Sequence, residues 1–210
     1  MPVILARHYP TKSNKLGLFG DGPLDDVPTE GGEEQARALG RRLQAGSKID
    51  GIWHGETPRQ AFTAKIIALE LPYAIDKIRS ALLHEQGVGE WSGKSKSADI
   101  SPKDLKAWRE GRLLPPGGES DEEFSVRMME AWNSIIQPAA RSAGNNLVVT
   151  SGSVIRFAVA QVLKVPWRNL LPAMDVDNCG LTTLRMARGK LFVASVNDVS
   201  HLKGFVMTPI

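Results

Sequence analysis

Short β-branched apolar runs alternate along this chain with stretches of helical spacing, and that alternation constrains the fold more than any other feature. Val3-Ile4-Leu5-Ala6 ends abruptly at Arg7-His8, and Pro10 follows. Ile49 to Trp53 and Leu147 to Thr150 have the same buried-strand character, and Leu181 to Arg185 and Leu191 to Val196 add two more runs near the end. Between them, Thr29 is expected to cap a helix whose Ala36, Leu39 and Leu43 share a face. Thr57-Pro58 reads as a second helix start, continued through Ala61, Ala64, Ala68 and Leu71. Ser120 to Glu123 forms a capping box before a long helix through Phe124, Met128, Trp132 and Ile135. An apolar helix, Val154 to Leu163, follows Ser151-Gly152-Ser153, with Ser153 as its expected N-cap. Asn14 to Pro28 and residues 80–101 read as loops. Strands alternating with helices predict a three-layer α/β/α sandwich on a mostly parallel sheet. One domain over 1–210 is expected, with a cap-like insertion around 86–118.

Composition narrows the function classes. Of 210 residues, 42% are apolar and 23% charged, as in ordinary globular chains rather than disordered ones. The net charge of +3 comes without a dense basic run, which argues against nucleic acid while leaving anionic substrates favoured. A single cysteine, Cys179, excludes an internal disulfide and any multi-cysteine metal site, and reads as a small buried residue. Charge arrives too early in MPVILARH for a signal peptide, and no apolar stretch approaches the roughly 18 residues of a membrane span. A cytoplasmic protein with no membrane partner is expected.

In open parallel sheets, functional groups collect beyond the carboxyl ends of strands. Three such ends carry polar groups here: Arg7-His8, the segment His54 to Arg59, and Thr150 to Ser153. Arginines converging on a histidine suit a phosphoryl group. Guanidinium forks bind its oxygens bidentately, and imidazole can attack phosphorus. The helix entry at Gly152 adds backbone N–H donors. His84, His54 and Glu85 match no familiar metal-ligand spacing.

These motifs, in this order, resemble the histidine phosphatase superfamily, the phosphoglycerate mutase-like enzymes. Arg7-His8 with Asn14 is similar to its signature; Thr29 to Gly40 is similar to its first helix, and Arg59 with Thr63-Ala64 to its second-arginine helix. Glu85 before Gly89-Glu90-Trp91-Ser92-Gly93, then Pro116 to Ser120, Val149 to Arg156 and Asn197-Asp198 with His201-Leu202, complete the likeness. The resemblance implies a phosphomonoester hydrolase for a small phosphorylated metabolite. His8 would be the nucleophile, Arg7 and Arg59 the phosphoryl clamp, and Asn14 a further donor. Glu85 would act first as acid and then as base, with Ser151 and Gly152 lining the phosphate pocket. No metal or cofactor is needed, because arginines supply the positive charge. A mutase-type phosphotransferase and a phosphorylated-ligand binder of little or no turnover are the alternatives. The oligomeric state stays open, a homodimer among the options.

Three departures stand out. Ser151 occupies the place of the family's second pocket histidine, and loss of such a charged donor typically costs about 2.7–4 kcal/mol. Ser151 reads as a surviving phosphate donor or as a filler at a helix entry. Tyr9 replaces a glycine, where a phenol is expected to crowd the pocket mouth. His54 could approach from the second strand in place of the missing histidine. Glu119 could buttress an arginine. The basic residues Lys94, Lys96, Lys103, Lys106, Arg109 and Arg112 could line a cap or form a solvated face, and the latter is favoured.

Overall fold

The computed structural model describes residues 2–46, 48–205 and 207. Its first strand, Pro2–Arg7 (β1), runs through the middle of a six-stranded sheet, where both faces of a strand are covered. That is why the run has no polar residue before Arg7. Ile49–His54 (β2), Lys77–Arg79 (β3), Asn145–Thr150 (β4), Leu181–Ala187 (β5) and Lys190–Asp198 (β6) complete the order β3-β2-β4-β1-β5-β6. β3, β2, β4 and β1 are mutually parallel; β5 and β6 form an antiparallel hairpin beside β1. The mostly parallel sheet expected from the alternation is thus present.

The helices are Lys12–Lys15 (α1), Gly32–Gln44 (α2), Pro58–Glu70 (α3), Pro102–Arg109 (α4), Asp121–Ala131 (α5), Gln137–Arg141 (α6) and Gly152–Leu163 (α7). Side chains alternate across the sheet and define the two outer layers. Ala6, Ile52, Leu147 and Val149 pack with Ala36, Leu39 and Leu43 of α2 and Ala64 and Ile67 of α3. Val3, Leu5 and Val148 pack on the opposite face with Phe124 and Met128 of α5 and Ile155, Phe157 and Ala158 of α7. Each fully buried Leu or Ile contributes about 1.5–3 kcal/mol. The chain therefore leaves β1 towards one face and β4 towards the other, which opens a crevice between their carboxyl ends.

Several local expectations need correction. The N-cap of α2 is Gly31, not Thr29: the chain turns there at φ +80°, and a Cβ on Gly32 would lie 2.8 Å from the Pro10 carbonyl oxygen. Thr57 holds the N-cap position of α3, but its hydroxyl makes no capping bond. The long helix after Ser120 is interrupted by a π-helical stretch, Trp132–Ile136. Pro138 lacks an N–H and would crowd the carbonyl one turn back, so the ladder widens before it. α1, β3 and α4 had no periodicity to announce them. The segment 86–118 carries its own apolar cluster, in which Phe19, Val88, Trp91 and Ile100 pack with Trp108.

Candidate active site

His8 stands where β1 ends, its backbone N–H donating to the Thr150 carbonyl at 2.9 Å and so fixing it at the mouth of the crevice. The imidazole is buried, with Nδ1 2.7 Å from the Tyr9 carbonyl oxygen. A carbonyl only accepts, so Nδ1 carries the proton and Nε2 keeps its lone pair. Burial, then the charges of Arg59 and Arg7, hold the imidazole pKa well below the ordinary histidine value. The His8 imidazole is thereby neutral, with a free lone pair on Nε2.

This has a consequence for stability. In the unfolded chain the imidazole takes up a proton below about pH 6.5, whereas the buried one does not. Stability should fall as pH drops from there, with a slope approaching about 1.4 kcal/mol per pH unit from this residue. His8→Ala should remove that component, measured as a shallower loss of urea-unfolding free energy between about pH 7 and 5.5. An identical slope in the two proteins would contradict the depressed value.

Arg7 and Arg59 reach the same place from different elements. Arg7 Nη1 donates to the Val176 carbonyl at 2.6 Å. Arg59 enters from the first turn of α3, and its guanidinium is held by Asp25 at 2.5 Å, Asp21 at 3.3 Å and Asp26 at 3.5 Å. Among the described residues, the buried Nε–H of each arginine has no hydrogen-bond partner. Two orphaned cationic donors beside a neutral imidazole are what an anion would satisfy. Asn14 Oδ1 accepts from Thr11 N and from Asn178 Nδ2, leaving its own amide N–H groups to reach a ligand.

Glu85 follows a short 3-10 turn, Ala81–Leu83. Its carboxylate accepts from Ser153 N at 3.2 Å, from the Ser153 hydroxyl and from Gln86 N at 3.1 Å. Ser153 is thus a partner of Glu85 and not the N-cap of α7, a position Ser151 holds. A Cβ at Gly152 would lie 2.9 Å from Arg156 Nη1 and 3.8 Å from Glu85 Oε2, so the helix entry joins an acid to a third arginine. The loop carrying Glu85 is braced by Arg127, which donates to the carbonyls of Leu82, His84 and Glu85 and forks onto Glu119 at 2.7 Å through both Nε and Nη2. Arg127→Ala strands a mostly buried carboxylate and three carbonyls. Loss of about 2 kcal/mol in chemical denaturation is expected, with turnover falling more than substrate affinity because Glu85 drifts. Unchanged unfolding would refute the brace.

The structure also sorts the departures. Tyr9 does not crowd a pocket mouth. It is buried among the side chains of α2 and α3, donates its hydroxyl to the Asp26 carbonyl at 3.0 Å, and has its phenol pushed up to about 12, chiefly by burial. At the histidine-lacking position the Ser151 hydroxyl accepts from Gln60 at 2.8 Å, and the buried His54 turns its Nδ1 to the Gly55 carbonyl at 2.7 Å. Of the basic segment, Lys94, Lys103, Lys106, Arg109 and Arg112 are exposed, as a solvated face would be. Lys96 differs: it is half-buried, its ammonium lowered by burial and then by Arg7, with Glu85 and Arg156 also acting on it. Cys179 is buried, and burial raises its thiol. Sequence reasoning gave no site role to Gln60, Asn178 or Arg156 and favoured a solvated face for Lys96, which the structure instead places half-buried. Asn178 donates to the His8 and Tyr9 carbonyls and lies 170 positions from His8, beyond any local pattern. Among the described residues no His, Cys, Asp and Glu group could hold a metal, and no helix is long and apolar enough to cross a membrane.

A neutral histidine and an acid among arginines, at the carboxyl edge of this sheet, define a phosphoryl-transfer type of site. The chain belongs to the histidine phosphatase superfamily (branch 1), whose family model matches residues 3–199. A 2,3-bisphosphoglycerate-dependent phosphoglycerate mutase of Brucella ovis is 31% identical over 163 residues, covering 75% of this chain and 79% of its own. Bacillus stearothermophilus YhfR has a TM-score of 0.81 at 26% identity, over 96% of this chain and 99% of that one. The phosphoserine phosphatase of Entamoeba histolytica, in complex with 3-phosphoglyceric acid, has a TM-score of 0.79 at 21% identity, over 96% and 98%.

Proposed function

We propose that this chain hydrolyses small phosphomonoesters through a phosphohistidine on His8. The carrying observation is the His8 imidazole itself: buried, neutral, protonated on Nδ1, and flanked by two guanidinium groups with unpaired Nε–H donors. In the first step Nε2 would attack phosphorus as the ester P–O bond breaks, and Glu85 in its acid form would protonate the departing oxygen. In the second, Glu85 as carboxylate would take a proton from water, whose oxygen displaces Nε2 from phosphorus. Arg7, Arg59 and Asn14 would stabilise the charge on the transferring group, and Gly152 and Ser151 would line its pocket. Supply of this charge by side chains is the reason no metal or cofactor is invoked. Lys96 and Arg156, two cations within the field of Glu85, favour a substrate with a second anionic group, and segment 86–118 would act as the cap over it.

Ser151 favours a second reading. A neutral donor in place of a charged one supports a protein that holds a phosphorylated ligand with little turnover. Hydrolysis of p-nitrophenyl phosphate between about pH 4 and 8 in excess chelator separates the two. Metal-independent turnover is expected. Tight phosphate binding without turnover would instead establish the binder.

A further inference from the structure

Gln60 is fully buried one position after Arg59 on α3, with its amide wedged between three backbone segments. Nε2 lies 3.1 Å from the Leu83 carbonyl oxygen and 2.8 Å from Ser151 Oγ. The Leu83 oxygen can only accept, and that settles the orientation of the amide: the atom facing it is nitrogen. The same nitrogen therefore donates to Ser151, and both of its hydrogens are spent. Oε1 faces Gly55 so closely that a Cβ there would lie only 1.8 Å away, so glycine at 55 is what lets the amide in. No described group satisfies Oε1. A buried carbonyl without a partner is a cost normally removed unless the rest of the group is needed.

We infer that Gln60 is a positioning residue that fixes Ser151 as a hydrogen-bond donor to the transferring phosphoryl group. Ser151 Oγ receives the Gln60 amide, so the Ser151 proton must point away from it, and no described group accepts that proton. Ser151 is the N-cap of α7 yet makes no capping bond with its side chain, which is consistent with a hydroxyl held for another purpose. Its neighbour Thr150 is bonded to His8 through the backbone and pairs in register with Arg7, which sets Ser151 beside the nucleophile. A Gln-Ser pair thus takes over the donor function of the absent histidine without its charge. The inference rests on the proposed phosphoryl site.

The test is vanadate affinity, measured by calorimetry on the wild type, Ser151→Ala, Gln60→Met and the double variant, with unfolding followed on each. Methionine fills the glutamine volume without a donor, and Thr150 Oγ1 still donates to the Leu83 carbonyl. So Gln60→Met should fold as stably as the wild type. Ser151→Ala should weaken vanadate about tenfold, Gln60→Met by a similar factor, and the double variant no more than Ser151→Ala alone. Wild-type affinity in Gln60→Met, or losses that multiply in the double variant, would overturn the inference and leave the functional reading standing. Absence of vanadate binding in the wild type would overturn both. If Gln60→Met unfolds, Gln60→Leu serves instead: it too lacks the donor and carries no charge, so it should weaken vanadate by the same factor, and unchanged affinity would again overturn the inference.

Discussion

His8→Ala should lose turnover of p-nitrophenyl phosphate by about 10⁴-fold or more. The substitution removes the Nε2 lone pair, whose direction is fixed by the ring's own hydrogen bond. Nε2 is available because Nδ1 is committed to the Tyr9 carbonyl, and neutral because burial and two guanidinium groups oppose protonation. Arg7 and Arg59 stay in place, so phosphate affinity should be retained or should rise as the space enlarges. Steady-state rates with calorimetric phosphate titration check both halves. Comparable rates in the variant would mean that water attacks directly and that His8 only shapes the pocket.

Glu85→Gln is the second large effect, with kcat expected to fall about 10²–10⁴-fold. Glutamine can still accept from Ser153 N and Gln86 N, so the loop should keep its course. Proton transfer would not survive. p-Nitrophenolate leaves without an acid, so formation of the phosphoenzyme should be spared, while attack of water on it loses its base. A burst of nitrophenol followed by a slow steady state is the expected trace. For an alkyl phosphate, which needs a proton on its leaving oxygen, both steps should slow. Equal slowing with the two substrates and no burst would assign the proton to another group.

The parts of this site that follow local rules were legible in the residues. A buried central strand must stop at its first charged residue, so Arg7-His8 announced the carboxyl edge of β1. Ser151-Gly152 marked the entry of α7 in the same way. What was not legible depends on what the fold sets opposite. Lys96 looks like its basic neighbours until the fold sets its ammonium over the Phe19 ring and within the field of Arg7 and Glu85. Gln60 reads as an ordinary helix residue. Only the approach of Ser151, 91 positions away, gives its amide a purpose. Tyr9 was misjudged because a bulky residue after a nucleophile suggests obstruction, whereas its backbone turns the ring into the layer between sheet and helices. Thr29 suits a cap by residue type, but the chain turns at Gly31 with φ +80°, and α2 begins after it.

The central claim is that phosphate passes through His8. It is tested most directly by mixing the protein with excess p-nitrophenyl phosphate, quenching rapidly in alkali, and mapping phosphate on its peptides. Phosphohistidine is stable to base and labile to acid. Acid-labile phosphate is expected on the peptide containing His8, forming within one turnover, absent in His8→Ala, and accumulating in Glu85→Gln. Turnover by the wild type with no phosphate on that peptide at any time would contradict it.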